Sequence, residues 1–94
     1  MKITVTDRAM EWFKDEMNAG PGDYIRFYTR YGGCSTVQAG YSLGVVKEAP
    51  NRPVEKVVQK GITFYIEESD LWYFDDLNLK VDSNVDGELI FIHD

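Results

Sequence analysis

The chain has 94 residues, 44% of them apolar and 14% aromatic, with five Phe, six Tyr and two Trp. That is enough for one modest core and too much for a disordered chain, so a single domain over residues 1–94 is expected. A formal net charge of −6 excludes a general nucleic-acid binder, which needs a basic field against phosphate. The longest apolar runs are the four-residue stretches Leu71–Phe74 and Leu89–Ile92, whereas a spanning helix takes about 20. The opening residues also lack the apolar stretch of a secretory leader, and no membrane association is expected.

Ile3 and Val5 share one face of a short opening strand. Thr6 then reads as the N-cap of a helix over Asp7–Asn18, with Met10, Phe13 and Met17 as its buried stripe, Ala9 beside them, and Gly20 and Pro21 as its stop. Tyr24–Tyr31 is a strand with Ile25, Phe27 and Thr29 on one face and Tyr24, Arg26, Tyr28 and Arg30 on the other. Gly32–Ser35 breaks it. Val37–Val46 alternates as a further strand, with Val37, Ala39, Tyr41, Leu43 and Val45 on one side; Gly40 and Gly44 within it signal a bulge or a close approach.

Pro50–Pro53 is a turn. Val54–Gln59 and Ile62–Glu67 form a hairpin about Lys60-Gly61, with Ile62, Phe64 and Ile66 inward. Ser69 is placed to cap a short helix over Asp70–Asp76 that buries Leu71 and either Phe74 or Trp72. Leu77–Val81 and Glu88–Ile92 are strands joined through Asp86-Gly87. Seven short strands and two helices make an α+β domain, mainly β, with packed sheets or a partial barrel. Its expected core is Phe13, Phe27, Leu43, Phe64 and Phe91.

Candidate chemistry centres on Arg30–Thr36. Gly32 and Gly33 free the backbone, and Cys34 follows at once on the loop. Arg30, with Arg26 on the same strand face, is placed to favour its thiolate. The alternative is a tight turn around a small, half-buried cysteine. As the single cysteine, Cys34 makes no intramolecular disulfide and fits a reducing cytoplasm. His93, the only histidine, is expected to be exposed and idle; it joins Cys34 in a metal site only if the last strand ends near the glycine loop. The Tyr/Arg alternation over residues 24–30 reads as a half-exposed strand face rather than a single-strand binding surface. Asp75, Asp76, Asp82 and Asp86 are candidate acid–base or hard-cation groups, without calcium-loop spacing.

Charge is uneven. Residues 1–66 carry nine Lys/Arg against seven acids; residues 67–94 carry only Lys80 against nine. That acidic third is either a solubilising surface or a docking face for a basic partner.

Taken in order, Ile3–Ala9, the Gly32-Gly33-Cys34-Ser35 segment with Gln38 and Tyr41, Val58–Ile66 and the closing strands over 77–92 resemble the HesB/IscA-like iron–sulfur cluster biogenesis domain. The resemblance implies a compact, strand-rich domain with two helices, often a homo-oligomer, serving assembly or acceptor proteins. Family members with three cysteines bind iron or clusters, two of the three forming a C-x-C near the C-terminus. This sequence lacks that motif and resembles the short YneR-type branch. Only Cys34 carries over as a metal ligand, with Gly32, Gly33 and Ser35 around it in the cofactor-binding segment. A dimer brings two such thiolates and a tetramer four; otherwise His93, carboxylates, Ser35 or small thiols complete the set. The resemblance therefore implies a non-enzymatic accessory protein holding iron or an iron–sulfur cluster through Cys34 across an oligomer. The alternatives are an interaction or regulatory domain that has lost metal binding, and a thiol-based redox module.

Overall fold

A computed structural model describes residues 1–33 and 37–94. The strands are β1 (Ile3–Val5), β2 (Tyr24–Tyr31), β3 (Tyr41–Lys47), β4 (Pro53–Gln59), β5 (Ile62–Glu67), β6 (Leu79–Ser83) and β7 (Leu89–His93). The helices are α1 (Asp7–Met17) and a 3₁₀ helix over Glu68–Phe74. A three-stranded sheet runs β1-β6-β7 and a four-stranded sheet β3-β2-β5-β4, each containing one parallel pair, β1 with β6 and β2 with β5. The edges β1 and β4 meet, and Gln59 Nε2 donates to the Val5 carbonyl across them (2.8 Å). The α+β architecture, with two sheets joined toward a partial barrel, is the one expected.

Alternation decides the core. Ile25 and Phe27 of β2, Leu43 of β3, and Ile62, Phe64 and Ile66 of β5 face inward. They meet Ala9, Met10 and Phe13 of α1 and Ile3, Val5, Leu79 and Val81 of the smaller sheet. Phe13 and Phe64 (5.0 Å between centroids) and the stacked pair Phe27 and Phe64 (5.9 Å) form its centre. Phe91 is half-buried and packs edge-on against Phe27.

Thr6 caps α1 as expected, accepting the Ala9 N–H (3.2 Å). The helix ends on Asn18 in the left-handed region rather than on Gly20, an option open to asparagine because its short amide tolerates positive φ.

Further boundaries differ from the sequence reading, while the close approach signalled by Gly44 is present. β3 begins at Tyr41, because Gly40 takes φ +82° and the Gly32 N–H closes onto its carbonyl (2.7 Å), making residues 37–40 part of the connection. Gly44 is a close approach: a Cβ built there would lie 2.5 Å from Tyr28 Cζ and 2.8 Å from Arg30 Cδ. β6 starts at Leu79, not Leu77. The second helix starts at Glu68, uncapped by Ser69, and with three residues per turn it buries Asp70, Tyr73 and Phe74 while leaving Leu71 and Trp72 exposed.

The connection from β3 to β4 joins opposite edges of the larger sheet and is fastened by buried polar groups. The Glu67 carboxylate accepts the Asn51 and Arg52 N–H groups (2.9 and 2.8 Å), and the Tyr65 hydroxyl donates to the Glu48 carbonyl (2.5 Å). This leaves Tyr65 fully buried on the face of β5 opposite Phe64.

Candidate functional site

The β2–β3 connection carries the residues singled out in the sequence. Its neck is built from the backbone upward. Tyr31 pairs with Tyr41 in the last register position of the ladder, and Gly32 follows with φ +100°. The Gly32 carbonyl accepts the Ser42 hydroxyl (3.2 Å). Gly33 takes φ +77°, and a Cβ there would come 3.0 Å from Ser42 Oγ. Both glycines are thus required by conformation, and Gly33 by space as well. Cys34 and Ser35 lie outside the described residues.

Of the two cations expected to serve the thiol, Arg26 is engaged by carboxylates. Arg26 binds Glu48 (2.7 Å) and Asp70 (2.8 Å) in a partly buried network. Burial disfavours its charge, but the hydrogen bonds it donates to Asp70 and then to Glu48 outweigh that and raise its pKa. Asp70 also accepts the Thr29 N–H (3.2 Å), which ties the 3₁₀ helix to β2 where β5 stops pairing. Arg26 is therefore a structural cation. Arg30 is exposed, its stem crossing Gly44 on the outer face of β2. Asp70 and Glu67, the buried carboxylates of this region, were not singled out in the sequence. Its place at the end of the polar stretch Glu67–Asp70, directly before the apolar run Leu71–Phe74, is the signal that marked Asp70.

His93 is a correction. It is half-buried, its ring 5.7 Å from Tyr73 and 5.8 Å from Phe74, and its Nδ1 is buried with no hydrogen-bond partner. The packing arises because His93 lies two residues beyond Phe91 on β7, on the face that meets the 3₁₀ helix. Burial lowers its pKa. From His93 a run of ring contacts leads through Tyr73, Trp72 and Tyr41 to Tyr31 at the neck of the glycine loop.

The aspartates do not converge. Asp82 accepts from Arg8 (2.8 Å) and Thr6 Oγ1 (2.7 Å), which pins the start of α1 to β6. The Arg8 hydrogen bond, then those of Thr6 and the Ser83 N–H, hold its pKa down at about 2. Asp75 and Asp76 sit together after the 3₁₀ helix, both with positive φ, and Asp86 lies in the β6–β7 turn. Among the described residues, no three His, Cys, Asp or Glu side chains are grouped to hold a metal ion. No helix among them is long and apolar enough to cross a membrane.

The fold is a small α+β domain of two sheets whose β2–β3 connection carries the chain's single cysteine. The chain belongs to the iron–sulphur cluster biosynthesis family, whose model matches residues 1–92. It is 49% identical over 88 residues to a Bacillus subtilis (strain 168) protein named pyruvate dehydrogenase inhibitor, covering 94% of this chain and 93% of that one. It is also 37% identical over 86 residues to an uncharacterized protein of Staphylococcus haemolyticus, covering 87% and 86% of the two chains. A third relative, an uncharacterized protein of Staphylococcus saprophyticus, is 36% identical over 87 residues and 89% of each chain.

Proposed function

We propose that this chain is a non-enzymatic, protein-binding regulator built on the iron–sulphur biosynthesis domain, and that it restrains an enzyme complex of the pyruvate dehydrogenase kind. The observation that carries this reading is the near end-to-end similarity to the Bacillus protein named as an inhibitor of that enzyme. Two further facts agree with it. One cysteine per chain falls short of the four ligands a cluster takes. Beside the loop neck, Tyr31 and Trp72 are exposed as a binding face would be. The test is NADH formation by purified pyruvate dehydrogenase complex titrated with the chain. A saturable fall in rate is expected; an unchanged rate at tens of micromolar chain, on the order of a weak protein–protein Kd, would overturn the reading.

A second reading, an iron- or cluster-holding accessory protein, rests on the family and on the glycine neck that carries Cys34. Within one chain the donors do not fit a cluster, so Cys34 thiolates from two or four copies would have to combine. Anaerobic purification followed by iron, sulfide and native-mass analysis tests it. The reading expects metal on an oligomer, lost in Cys34→Ser with the fold intact. A metal-free 10.8 kDa species would remove it.

A further inference from the structure

We propose that the ring set Tyr31, Tyr41 and Trp72, together with the Asp75–Asp76 pair that follows Trp72's helix, docks an arginine- or lysine-bearing segment of a partner protein. It names the chemistry of the partner and does not depend on which enzyme that partner belongs to.

The apolar component is unusually open. Tyr31 is 89% exposed, Trp72 51% and Leu71 40%, in a chain whose other aromatics mostly lie in the core. The three rings are fixed relative to one another. Tyr31 meets Tyr41 at 5.7 Å and 86°, and Tyr41 meets Trp72 at 5.2 Å and 85°. Successive perpendicular rings make a stepped wall rather than a flat plate. They sit on rigid supports, since Tyr31 and Tyr41 close the β2–β3 ladder and Trp72 is held in a 3₁₀ helix anchored by Asp70 on Arg26. Ordering these side chains on binding therefore costs little.

Charge selects the occupant. The face of an aromatic ring carries negative potential and attracts cations, most strongly at tryptophan. Asp75 is the left-handed cap at the C-terminal end of the helix that holds Trp72, three residues on in the chain. Asp76 follows it. Both are exposed, and neither forms a salt bridge among the described residues. The other acids of this third are in part engaged: Glu67 on the Asn51 and Arg52 amides, Asp70 on Arg26, Asp82 on Arg8. A second copy of the chain is a poor occupant, because a symmetric contact through this patch would set Asp75 and Asp76 against their own counterparts. A guanidinium or ammonium group on an apolar stem suits both parts, the stem and charge on the rings and the charge beside the carboxylates.

The probe is a fluorescein-labelled peptide of alternating Arg and Gly, followed by anisotropy against the full chain in low and physiological salt. Trp72→Ala and Tyr31→Ala change exposed side chains and are expected to fold. Each should weaken binding roughly fivefold, the loss of one cation–π contact. Asp75→Asn with Asp76→Asn should weaken it by a similar factor and flatten the salt dependence. The control, Asp86→Asn with Glu88→Gln, removes the same charge at the β6–β7 turn and should leave affinity unchanged. Equal losses from both acidic pairs with none from Trp72→Ala would reduce the effect to net charge and overturn the proposal. So would concentration-dependent dimerisation abolished by Trp72→Ala, which would assign the patch to a second copy. The assay contains no enzyme, so it stands or falls separately from inhibition of the pyruvate dehydrogenase complex.

Discussion

Replacing Phe64 by alanine probes the centre of the fold. The ring is fully buried on β5, 5.0 Å from Phe13 and 5.9 Å from Phe27, which are themselves fully buried. Those neighbours are carried by α1 and β2, two elements held in place independently, so the space left behind cannot close by the shift of one flexible group. The cost is therefore that of a large, poorly relaxed cavity, about 3–5 kcal/mol. A domain of this size has about 5–14 kcal/mol to lose, and the melting temperature should fall by roughly 12 °C or more. Phe64→Leu keeps most of the volume and should cost about 1–2 kcal/mol. Val58→Ala, on the exposed face of the neighbouring β4, should stay within about 0.5 kcal/mol. Urea unfolding followed by circular dichroism ranks the three. A midpoint for Phe64→Ala equal to that of Val58→Ala would refute the packing argument.

Breaking the Arg26 network by Arg26→Met should cost about 2–3 kcal/mol, since it strands the partly buried Asp70; chemical denaturation measures it, and a loss no larger than for an exposed ion pair would contradict that burial. Asp82 has a folded pKa of about 2, below its ordinary 3.8, so its contribution is present above about pH 4 and disappears as pH falls toward 2. Asp82→Asn should flatten that part of the stability–pH curve, and a wild-type slope in the variant would assign it elsewhere. His93, pushed below 6.5 by burial, contributes stability above pH 6.5 that is lost as pH falls through that value. His93→Phe should remove this loss between pH 7.5 and 5.5, and an unchanged melting shift in that window would show that His93 is not its source.

Period-two alternation in the sequence determines most of this protein's core. The inward set Ile25, Phe27, Leu43, Ile62, Phe64 and Ile66 follows from which residues alternate, because a strand has only two faces and one must be buried. The cap at Thr6 and the glycines at 32 and 33 were equally legible, since each answers a local backbone demand. So was the uneven placement of acids, which is a property of composition. Tertiary structure decided what depends on partners distant in the chain. Whether Arg26 faces a thiol or two carboxylates depends on Glu48 and Asp70, 22 and 44 residues away. Gly44 is small because Tyr28 and Arg30 cross it from the next strand. The second helix turns Trp72 outward because Asp70 is anchored inward, and three residues per turn then fix where every other side chain goes. His93 reads as a frayed terminal residue until β7 is paired and the aromatic helix is laid against it. Local patterns encode which face a residue takes. Which neighbour it finds there is settled only when sheets and helices pack, because that choice is made by burial and charge compensation across the whole core.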